Sequence, residues 1–408
     1  MSHFPDLLLI GGGITGLALA LKAKIRWPDL TVSLIEKESD VAQHASGRNS
    51  GVLHAGFYYS SDSLKARLCR QGNLAMQAFC REHDLKLNPC GKLVLTQNAD
   101  ELPALHKLYQ QGLKNGIPLQ LLSEAEVRAL EPEAATCEQA LYSPSTASVD
   151  PIEICRFLKQ RLLDLGVHFY FETRYLGQRQ QQVKTSRGVF EAGHVINCAG
   201  LYADKIAQDY GFGQHYTLLP FKGLYLGFEG DPDLLSHHLY PVPDPRQPFL
   251  GVHYTRTVHQ RLKIGPTAIP ALWRENYGGL SRFQLSEMLE VLWYEGRLFA
   301  SNRFGFRELA LSESKKYWRP AFARRAAHLT QTEHTAQFGK YLRPGIRAQL
   351  LDTRRMELVK DFVIEGDHYS THVLNAVSPA FTCAFPFADY ILEQTPLSQQ
   401  PLPKIQPV

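Results

Sequence analysis

The sequence has few cysteines, and their spacing does not suggest a disulfide framework or a structural zinc site. Seven cysteines are scattered over 408 residues, and no two of them form a C-x-x-C pair. An odd number of scattered cysteines is typical of free, buried thiols in a reducing compartment. We therefore expect neither a disulfide-rich secreted domain nor a zinc-stabilised module, and we predict no metal site.

The sequence also lacks a basic leader, a long apolar run and a large net charge. The first ten residues, MSHFPDLLLI, contain no basic cluster, and three glycines interrupt the apolar stretch that follows. We therefore expect no signal peptide and no transmembrane helix. A formal net charge of +4 is too small to indicate a nucleic-acid partner. These features predict a cytoplasmic protein, and they leave attachment to the inner face of the cytoplasmic membrane open.

The composition is that of an ordinary globular protein. Hydrophobic residues make up 44% of the chain and charged residues 21%, which argues against disorder. The length is enough for two or three domains. A large core and a separate substrate-binding region are both possible.

A glycine-rich motif in residues 7–36 is the first chemical signal. An apolar strand, LLLI, precedes GGGITG, a helical stretch follows, and the second strand, TVSLIE, ends in Glu36. Gly11, Gly13 and Gly16 have the spacing that permits a tight turn, approach of a pyrophosphate and close helix–strand packing. Glu36 can accept hydrogen bonds from a ribose and argues against a 2′-phosphate. The motif predicts a dinucleotide site but does not separate NAD from FAD.

Helices and strands alternate over the remaining chain. Strands are expected at 92–97, 167–172, 194–200, 362–365 and 372–377, a hairpin around 177–188, and helices at 62–85, 99–114, 124–131, 151–165 and in the second part of 378–392. Capping residues support three of these helices: Asn98, the Ser123–Glu126 capping box, and Asp150 before Pro151. Residues 217–228, 237–255 and 261–268 predict strands with proline-rich connections, and residues 281–299 predict a helix.

This order of elements predicts an α/β (α+β) fold with two domains. A Rossmann-like nucleotide-binding domain would be discontinuous and consist of 1–90, 145–215 and 345–400. A second domain, built on an antiparallel sheet, would consist of 91–144 and 216–344 and would contain the substrate site.

The second domain includes a basic and aromatic helical segment, 281–328. Residues 297–328 contain eight basic and two acidic side chains, with four phenylalanines and one tryptophan among them. Such a segment can lie on an anionic membrane surface. A solvated helical face with a buried apolar stripe is the alternative, and both interpretations stay open.

Several motifs together resemble one family. They are GGGITG, SGRNSGVLHAGFYY, SLKARLCRQGN, CGKLVL, YPVPDPRQPFLGVH, RPGIRAQ and NAVSPAFTCAFPFADYI. Over about residues 5–393 the chain is similar to the FAD-dependent L-2-hydroxyglutarate dehydrogenases and oxidases of the D-amino-acid-oxidase-like superfamily. The resemblance implies FAD as cofactor, oxidation of (S)-2-hydroxyglutarate to 2-oxoglutarate, and electron transfer to a quinone or another acceptor. Arg48 stands where this family usually has His, and Lys222 where it has Arg.

The reaction needs a carboxylate clamp and a base for the hydroxyl proton. For the clamp we favour Arg347, whose guanidinium can form a bidentate pair, followed by Lys222 and Arg343; Tyr254 is a further substrate-binding candidate. His54 and His253 are the two candidate bases. His54 is also the candidate for a covalent flavin link, but we expect FAD to be bound non-covalently.

The resemblance also implies a set of residues around the flavin. The candidate cofactor-binding residues are Gly11, Gly13, Ile14, Thr15, Gly16, Glu36, Lys37, Ser46, Arg48, Asn49, Ser50, Tyr175, Ala199, Gly200, Pro379, Ala380, Phe381 and Thr382. We expect the amides of Ala380, Phe381 and Thr382 to start the last helix and to face the flavin oxygen. Two other functions stay open: an oxidase of glycine or D-amino acids, and a non-catalytic FAD-containing subunit of a membrane complex.

Overall fold

The computed structural model describes residues 2–179, 182–244 and 249–399. Within these ranges the α-helices are α1 Ile14–Arg26, α2 Leu64–Glu82, α3 Leu102–Lys114, α4 Glu124–Leu130, α5 Pro151–Asp164, α6 Ala203–Asp209, α7 Leu285–Ser301, α8 Phe306–Ser314, α9 Arg319–Ala327 and α10 Ala384–Glu393. The strands are β1 Ser2–His3, β2 Leu7–Ile10, β3 Val32–Ile35, β4 Val52–Leu53, β5 Leu87–Asn88, β6 Lys92–Leu95, β7 Gln120–Ser123, β8 Gln139–Ser143, β9 Ala147–Val149, β10 His168–Tyr170, β11 Tyr175–Arg179, β12 Gln182–Thr185, β13 Gly188–Glu191, β14 His194–Asn197, β15 Tyr216–Gly223, β16 Leu226–Phe228, β17 His238–Pro241, β18 His253–Arg256, β19 Leu262–Gly265, β20 Ile269–Pro270, β21 Phe338–Tyr341, β22 Gly345–Asp352, β23 Glu357–Leu358, β24 Ile364–Gly366 and β25 Ser370–Val373.

The chain divides into two compact units. Unit 1 consists of Met1–Gly47, Pro151–Leu218 and Ala348–Val408, and unit 2 consists of Arg48–Asp150 and Leu219–Arg347. Each unit is therefore assembled from segments that are distant in sequence. The mixed α/β fold class expected from the sequence is confirmed.

Unit 1 is built on a six-stranded sheet in the order β10-β3-β2-β14-β25-β24. Its neighbouring strands are parallel except for β24, which is antiparallel to β25. Every residue of β2, β3 and β14 is buried, as expected for parallel strands with both faces covered. Helix α1 packs against α5 and α10. The sheet therefore presents the carboxyl ends of β2, β3 and β14 along one edge.

Unit 2 is built on an eight-stranded sheet in the order β21-β16-β19-β18-β17-β6-β8-β7. Adjacent strands are antiparallel, apart from the parallel pair β6 and β17. One hydrophobic cluster of this unit includes Leu93, Leu239, Tyr254 and Phe338. The antiparallel sheet expected for the second domain is observed.

The predicted boundary of the first domain differs from the observed one. Residues 48–90 were expected in the nucleotide-binding part but belong to unit 2. Strand β4 pairs with β9 of the same unit, and Phe57 is buried in a cluster with Leu105 and Leu141. These are long-range contacts, so the local sequence pattern could not reveal them.

One of the three predicted caps is confirmed, and a second predicted helix begins at the expected residue. Ser123 and Glu126 form both hydrogen bonds of a capping box, and α5 begins at Pro151. The prediction for Asn98 is wrong: its side chain makes no capping bond, and a 3-10 turn precedes α3. Residues 180–181 of the hairpin and 245–248 of the PDPRQP stretch lie outside the described residues.

The apolar stripe of helix α7 is exposed and not buried. Leu285, Leu289 and Leu292 do share a face, as predicted, but this face is exposed. The buried side of the helix consists instead of Glu287, Val291, Glu295 and Leu298. Across the ranges that the structure covers, no helix combines the length and the apolar character needed to span a bilayer.

Candidate active site

The glycine turn of unit 1 is sterically restricted to glycine at two positions. Gly11 has a φ of +118°, and a Cβ there would lie 2.6 Å from the carbonyl oxygen of Cys198. A Cβ on Gly16 would lie 2.1 Å from the carbonyl oxygen of Gly11. The turn, α1 and the end of β14 are therefore packed together with no room for side chains, as a dinucleotide site requires.

The start of α1 and Glu36 are tied to this turn by hydrogen bonds. The Ile14 amide donates to Oγ of Ser46 over 2.9 Å. The Gly12 amide donates to Oε2 of Glu36 over 2.7 Å, and the Glu38 amide donates to Oε1 over 2.9 Å. Thr15 and Gly16 lie in the first turn, where helical geometry supplies no carbonyl acceptor for the amides. Amides, dipole and a carboxylate at the strand end fit the pyrophosphate and ribose of FAD.

Other predicted cofactor residues of unit 1 follow the ends of β3 and β14 or lie on a separate small sheet. Gly200 has a φ of +57° directly after β14, and the Ala199 amide donates to Oδ1 of Asn197. Lys37 forms an ion pair with Glu38 over 2.7 Å. Tyr175 lies on β11 in the small sheet formed with β12, β13 and β1. Their contacts with a cofactor stay predictions.

The prediction for the last helix needs correction. Helix α10 begins at Ala384, so residues 378–383, including Pro379, Phe381 and Thr382, form turns before it. The Ala380 amide already donates to the carbonyl of Val377 over 3.0 Å. Ala380 therefore cannot offer a free helix-start amide in this conformation.

Three further predicted cofactor residues belong to unit 2 and make local contacts there. Oδ1 of Asn49 accepts from the Gly51 amide, and Oγ of Ser50 accepts from the Val52 amide. The guanidinium of Arg48 lies 4.2 Å from the centre of the Tyr277 ring. The side chains of Asn49 and Ser50 stabilise the turn before β4. Contact of these three residues with the flavin stays a prediction.

The two candidate bases lie within one group of basic side chains in unit 2. Burial lowers the pKa of His54 well below its ordinary value, and the basic side chains Lys92, His253 and Arg347 lower it further. Burial lowers the pKa of His253 to about 3, with contributions in the same direction from Lys92, Lys263 and Arg347. The structure thus brings together His54, His253 and Arg347, which lie far apart in the sequence and were each predicted separately.

The hydrogen bond of His253 defines which of its nitrogens can accept a proton. Nδ1 lies 2.8 Å from the carbonyl oxygen of Gly251, and a carbonyl can only accept, so Nδ1 carries the hydrogen. In the neutral ring Nε2 then has the free lone pair. The ring is held by Tyr240, which stacks on it at 3.7 Å with an interplanar angle of 14°.

The three candidate clamp residues differ in exposure. Arg347 is partly buried on β22, and its guanidinium lies 4.7 Å from the centre of the Phe249 ring. Burial lowers its pKa. Lys222 is buried and donates to Oδ1 of Asn276 over 3.0 Å. Arg343 is exposed, which makes it the weakest of the three for a desolvated carboxylate.

Tyr254 does not fit its predicted role in substrate binding. It follows His253 on β18, and side chains alternate between the two faces of a strand. Its ring is fully buried in the hydrophobic cluster that contains Leu93 and Phe338. Tyr254 is therefore a core residue.

Lys92 is a member of the basic group to which the sequence analysis assigned no role, although it lies in the CGKLVL motif. It is 0% exposed on β6, and it lies among Phe57, Tyr58 and Tyr240. A charged residue at the start of the strand KLVL, otherwise apolar, was the available signal. Lysine is rarely fully buried without an acidic partner.

The parallel sheet with its glycine turn defines a dinucleotide-binding protein that has a second, antiparallel unit. The family model described as "DAO: FAD dependent oxidoreductase" matches residues 6–377. The chain therefore belongs to the DAO family of FAD-dependent oxidoreductases, and it is an enzyme with FAD as its cofactor. The FAD-bound, dithionite-reduced L-alpha-glycerophosphate oxidase from Mycoplasma pneumoniae has the same fold, with a TM-score of 0.75 at 20% identity, covering 100% of this chain and 97% of that one.

Two curated relatives are similar over nearly the full length. The L-2-hydroxyglutarate dehydrogenase of Indibacter alkaliphilus is 35% identical over 398 residues, which are 95% of this chain and 98% of the relative. The mitochondrial L-2-hydroxyglutarate dehydrogenase of Homo sapiens is 32% identical over 415 residues, which are 95% of this chain and 88% of the relative.

Proposed function

We propose that this protein oxidises (S)-2-hydroxyglutarate to 2-oxoglutarate and passes the electrons to a quinone or another acceptor. Membership of the DAO family and the names of its curated relatives support the reaction. Two electrons and a proton leave C2 as a hydride, and the hydroxyl loses the second proton, so the carbinol becomes a ketone. FAD, when bound, supplies the two-electron acceptor.

The observation that carries the proposal is the charge of the group around His54. The side chains that lower its pKa besides burial are Lys92, His253 and Arg347, and all three are basic. A buried group in which Lys92 and Arg347 supply positive charge favours an anionic ligand. A dicarboxylate substrate is complementary to it, whereas a zwitterionic amino acid is less so.

Within this group we assign His253 as the base. Its Nε2 is the proton-accepting nitrogen because Nδ1 donates to the Gly251 carbonyl. Stacking on Tyr240 limits the orientation of the ring. A bound dianion would raise the low pKa of this imidazole, because a negative charge stabilises its protonated form. His253 can then take the hydroxyl proton as the hydride leaves C2.

Arg347 is the proposed clamp for a substrate carboxylate, with Lys222 as a second cation. Arginine is suited to this task because its planar fork forms two parallel hydrogen bonds with a carboxylate. Lys222 is held by Asn276, so it contributes a fixed positive charge. FAD would be held in unit 1 by the glycine turn, Ser46 and Glu36.

We also propose that unit 2 contacts an anionic membrane surface on the cytoplasmic side. Leu289 and Trp293 on α7 are 59% and 64% exposed, and basic residues such as Arg297 and Arg303 follow on the same segment. An exposed apolar stripe next to positive charge fits the boundary between headgroups and acyl chains. A quinone acceptor would be reached from such a position.

An anaerobic reduction experiment tests the proposed reaction. The purified protein with FAD bound is mixed with (S)-2-hydroxyglutarate, and the visible flavin absorbance is followed. Bleaching is expected with this enantiomer, and much slower bleaching with (R)-2-hydroxyglutarate, glycine or D-alanine. Reduction by an amino acid alone would replace the proposal with an amino-acid oxidase, and no reduction by any of them would overturn catalysis of this class.

A further inference from the structure

Lys92 lies at an electrostatically unusual position in unit 2. Its Nζ has no hydrogen-bond partner among the described residues, and it lies 4.8 Å from the ring centres of Phe57 and Tyr58 and 4.5 Å from that of Tyr240. The rings therefore stabilise the ammonium group by cation–π contacts. An unpaired ammonium is costly to bury, so a packing role alone does not account for a lysine here.

The position of Lys92 connects it with both candidate bases. Tyr240, whose ring faces its Nζ, is stacked on His253 at 3.7 Å. Phe57 and Tyr58 follow closely after His54 on the chain. Tyr240 thus contacts both Lys92 and the imidazole of His253, and Lys92 is near enough to both histidines to lower their pKa. Its charge acts on both imidazoles, so we assign it a role through the histidines.

We propose that Lys92 is a positioning residue that keeps the histidine base of this site neutral, by repelling a proton from the two imidazoles through the surrounding aromatic rings. The inference rests on the proposed function, in which His253 accepts the hydroxyl proton. A base must be unprotonated before the substrate binds, and a fixed cation nearby lowers the fraction of protonated imidazole. The same charge adds to the positive potential that attracts a dicarboxylate.

The other titratable groups around this site do not cancel the effect. Those that act on Lys92, His54, His253 or the tyrosines near Lys92 are Cys69, Cys90, Tyr58, Tyr225, His238, Tyr240, Lys263 and Arg347. None of these is a carboxylate, and the carboxylate of Glu313 acts on Arg347. Nδ1 of His238 accepts a hydrogen bond from the Arg256 amide, so in the neutral ring Nε2 carries the hydrogen. Nε2 faces Sγ of Cys90 and Oγ of Ser148. His238 is therefore not a competing base.

The protonation range of Lys92 is compatible with this role. Burial lowers the pKa of Lys92 to about 7, so the amine is charged at lower pH, where an ordinary imidazole begins to take up a proton. At higher pH the amine becomes neutral, but the imidazoles are then neutral without help. The repulsion is thus present on the acid side, where it adds to burial, the main cause of the low pKa of both imidazoles.

The test compares Lys92→Met, which removes the charge at similar length, with Lys92→Arg, which keeps it. Lys107→Met, an exposed lysine on α3, is the matched control for loss of a lysine. We expect the acid limb of the kcat/KM profile to move up by about one pH unit in Lys92→Met. It should stay in place in Lys92→Arg and Lys107→Met. The melting temperature of Lys92→Met should stay equal or rise, because a buried unpaired charge is removed.

A second readout does not depend on turnover. The histidine resonances of isotope-labelled protein are titrated by NMR, with His253→Asn and His54→Asn used for assignment. In Lys92→Met at least one of these two imidazoles should titrate at higher pH than in the wild type. If both the acid limb and the titrations coincide with the wild type in a folded, FAD-containing Lys92→Met protein, the role is overturned. Failure of (S)-2-hydroxyglutarate to reduce the wild-type flavin would instead overturn the proposed function, and the titration result would stand separately.

Discussion

Tyr240 lies face to face with His253, with ring centres 3.7 Å apart and an interplanar angle of 14°. The two side chains come from β17 and β18, which are adjacent in the sheet of unit 2. This stacking and the bond from Nδ1 to the Gly251 carbonyl orient the imidazole from two directions. Pre-orientation of a base reduces the entropy that must be lost when the substrate reaches it.

The first prediction concerns His253 as the base. His253→Asn should lower kcat about 10²- to 10⁴-fold, with a small change in KM and no loss of FAD, because only the proton acceptor is removed. Steady-state kinetics and the ratio of flavin to protein absorbance measure both. His54→Asn is the comparison variant. A larger loss of kcat in His54→Asn than in His253→Asn would exchange the two assignments.

Arg347 should act mainly on substrate binding. In Arg347→Ala, KM should rise and kcat/KM should fall by about 10²-fold or more, since a charge-assisted bidentate contact is lost. Arg347→Lys should recover part of the loss, because it restores charge without the planar fork. Arg261→Ala, an exposed arginine of the same unit, serves as the control. Kinetics equal to the wild type in Arg347→Ala would remove this residue from the clamp.

Gly16 should be required for FAD binding. A Cβ at this position would meet the Gly11 carbonyl oxygen at 2.1 Å, so Gly16→Ala should displace α1 from the turn and reduce the FAD content of the purified protein. Gly296→Ala is the matched control: it lies within α7, its Cβ would meet nothing within 4 Å, and alanine there should stabilise the helix by about 0.5–1 kcal/mol. Full FAD occupancy in Gly16→Ala would contradict the assignment of the turn.

Glu295 should make the stability of the protein depend on pH. This side chain is 9% exposed, and burial raises its pKa from 4.5 to about 8. The unfolded chain releases the proton near the lower value and the folded protein near the higher one. Stability should therefore fall as pH rises between them, by up to about 1.4 kcal/mol per pH unit.

Glu295→Gln removes this ionisation and gives the test. Its melting temperature relative to the wild type should be higher at pH 8 than at pH 5, values that lie at the two ends of the interval. Glu82→Gln, at an exposed position of α2, should show no such change in the difference. A difference between Glu295→Gln and the wild type that is constant with pH would show that the carboxyl is charged in the folded protein.

The exposed stripe of α7 should contribute to membrane attachment. Replacing Leu289 and Trp293 by serine should reduce flotation with liposomes that contain phosphatidylserine, because the apolar area that enters the headgroup boundary is lost. Replacing Leu113 and Leu130, two exposed leucines on α3 and α4, by serine controls for a general loss of surface hydrophobicity. Equal flotation of the two double variants would leave the stripe as a solvent-exposed face.

The local elements near the glycine turn were predictable because they depend on short-range patterns. Strand β2 occupies the predicted residues, and α1 and β3 differ from the prediction by a residue or so at their ends. The capping box at Ser123 was also predictable, since its bonds join residues three positions apart. By contrast, the amide of Ala380 was misassigned, because the start of α10 depends on how the preceding turns pack.

The sequence by itself determined the class of fold and the dinucleotide motif, because glycine spacing and hydrophobic periodicity are local properties of the chain, and the resemblance of its motifs indicated the family. Only the tertiary structure decided that residues 48–90 belong to unit 2, that α7 exposes its apolar side, and that Lys92 lies beside Tyr240. These facts depend on strand pairings and side-chain contacts between distant segments. No local pattern encodes such contacts, and they define the electrostatics of the proposed site.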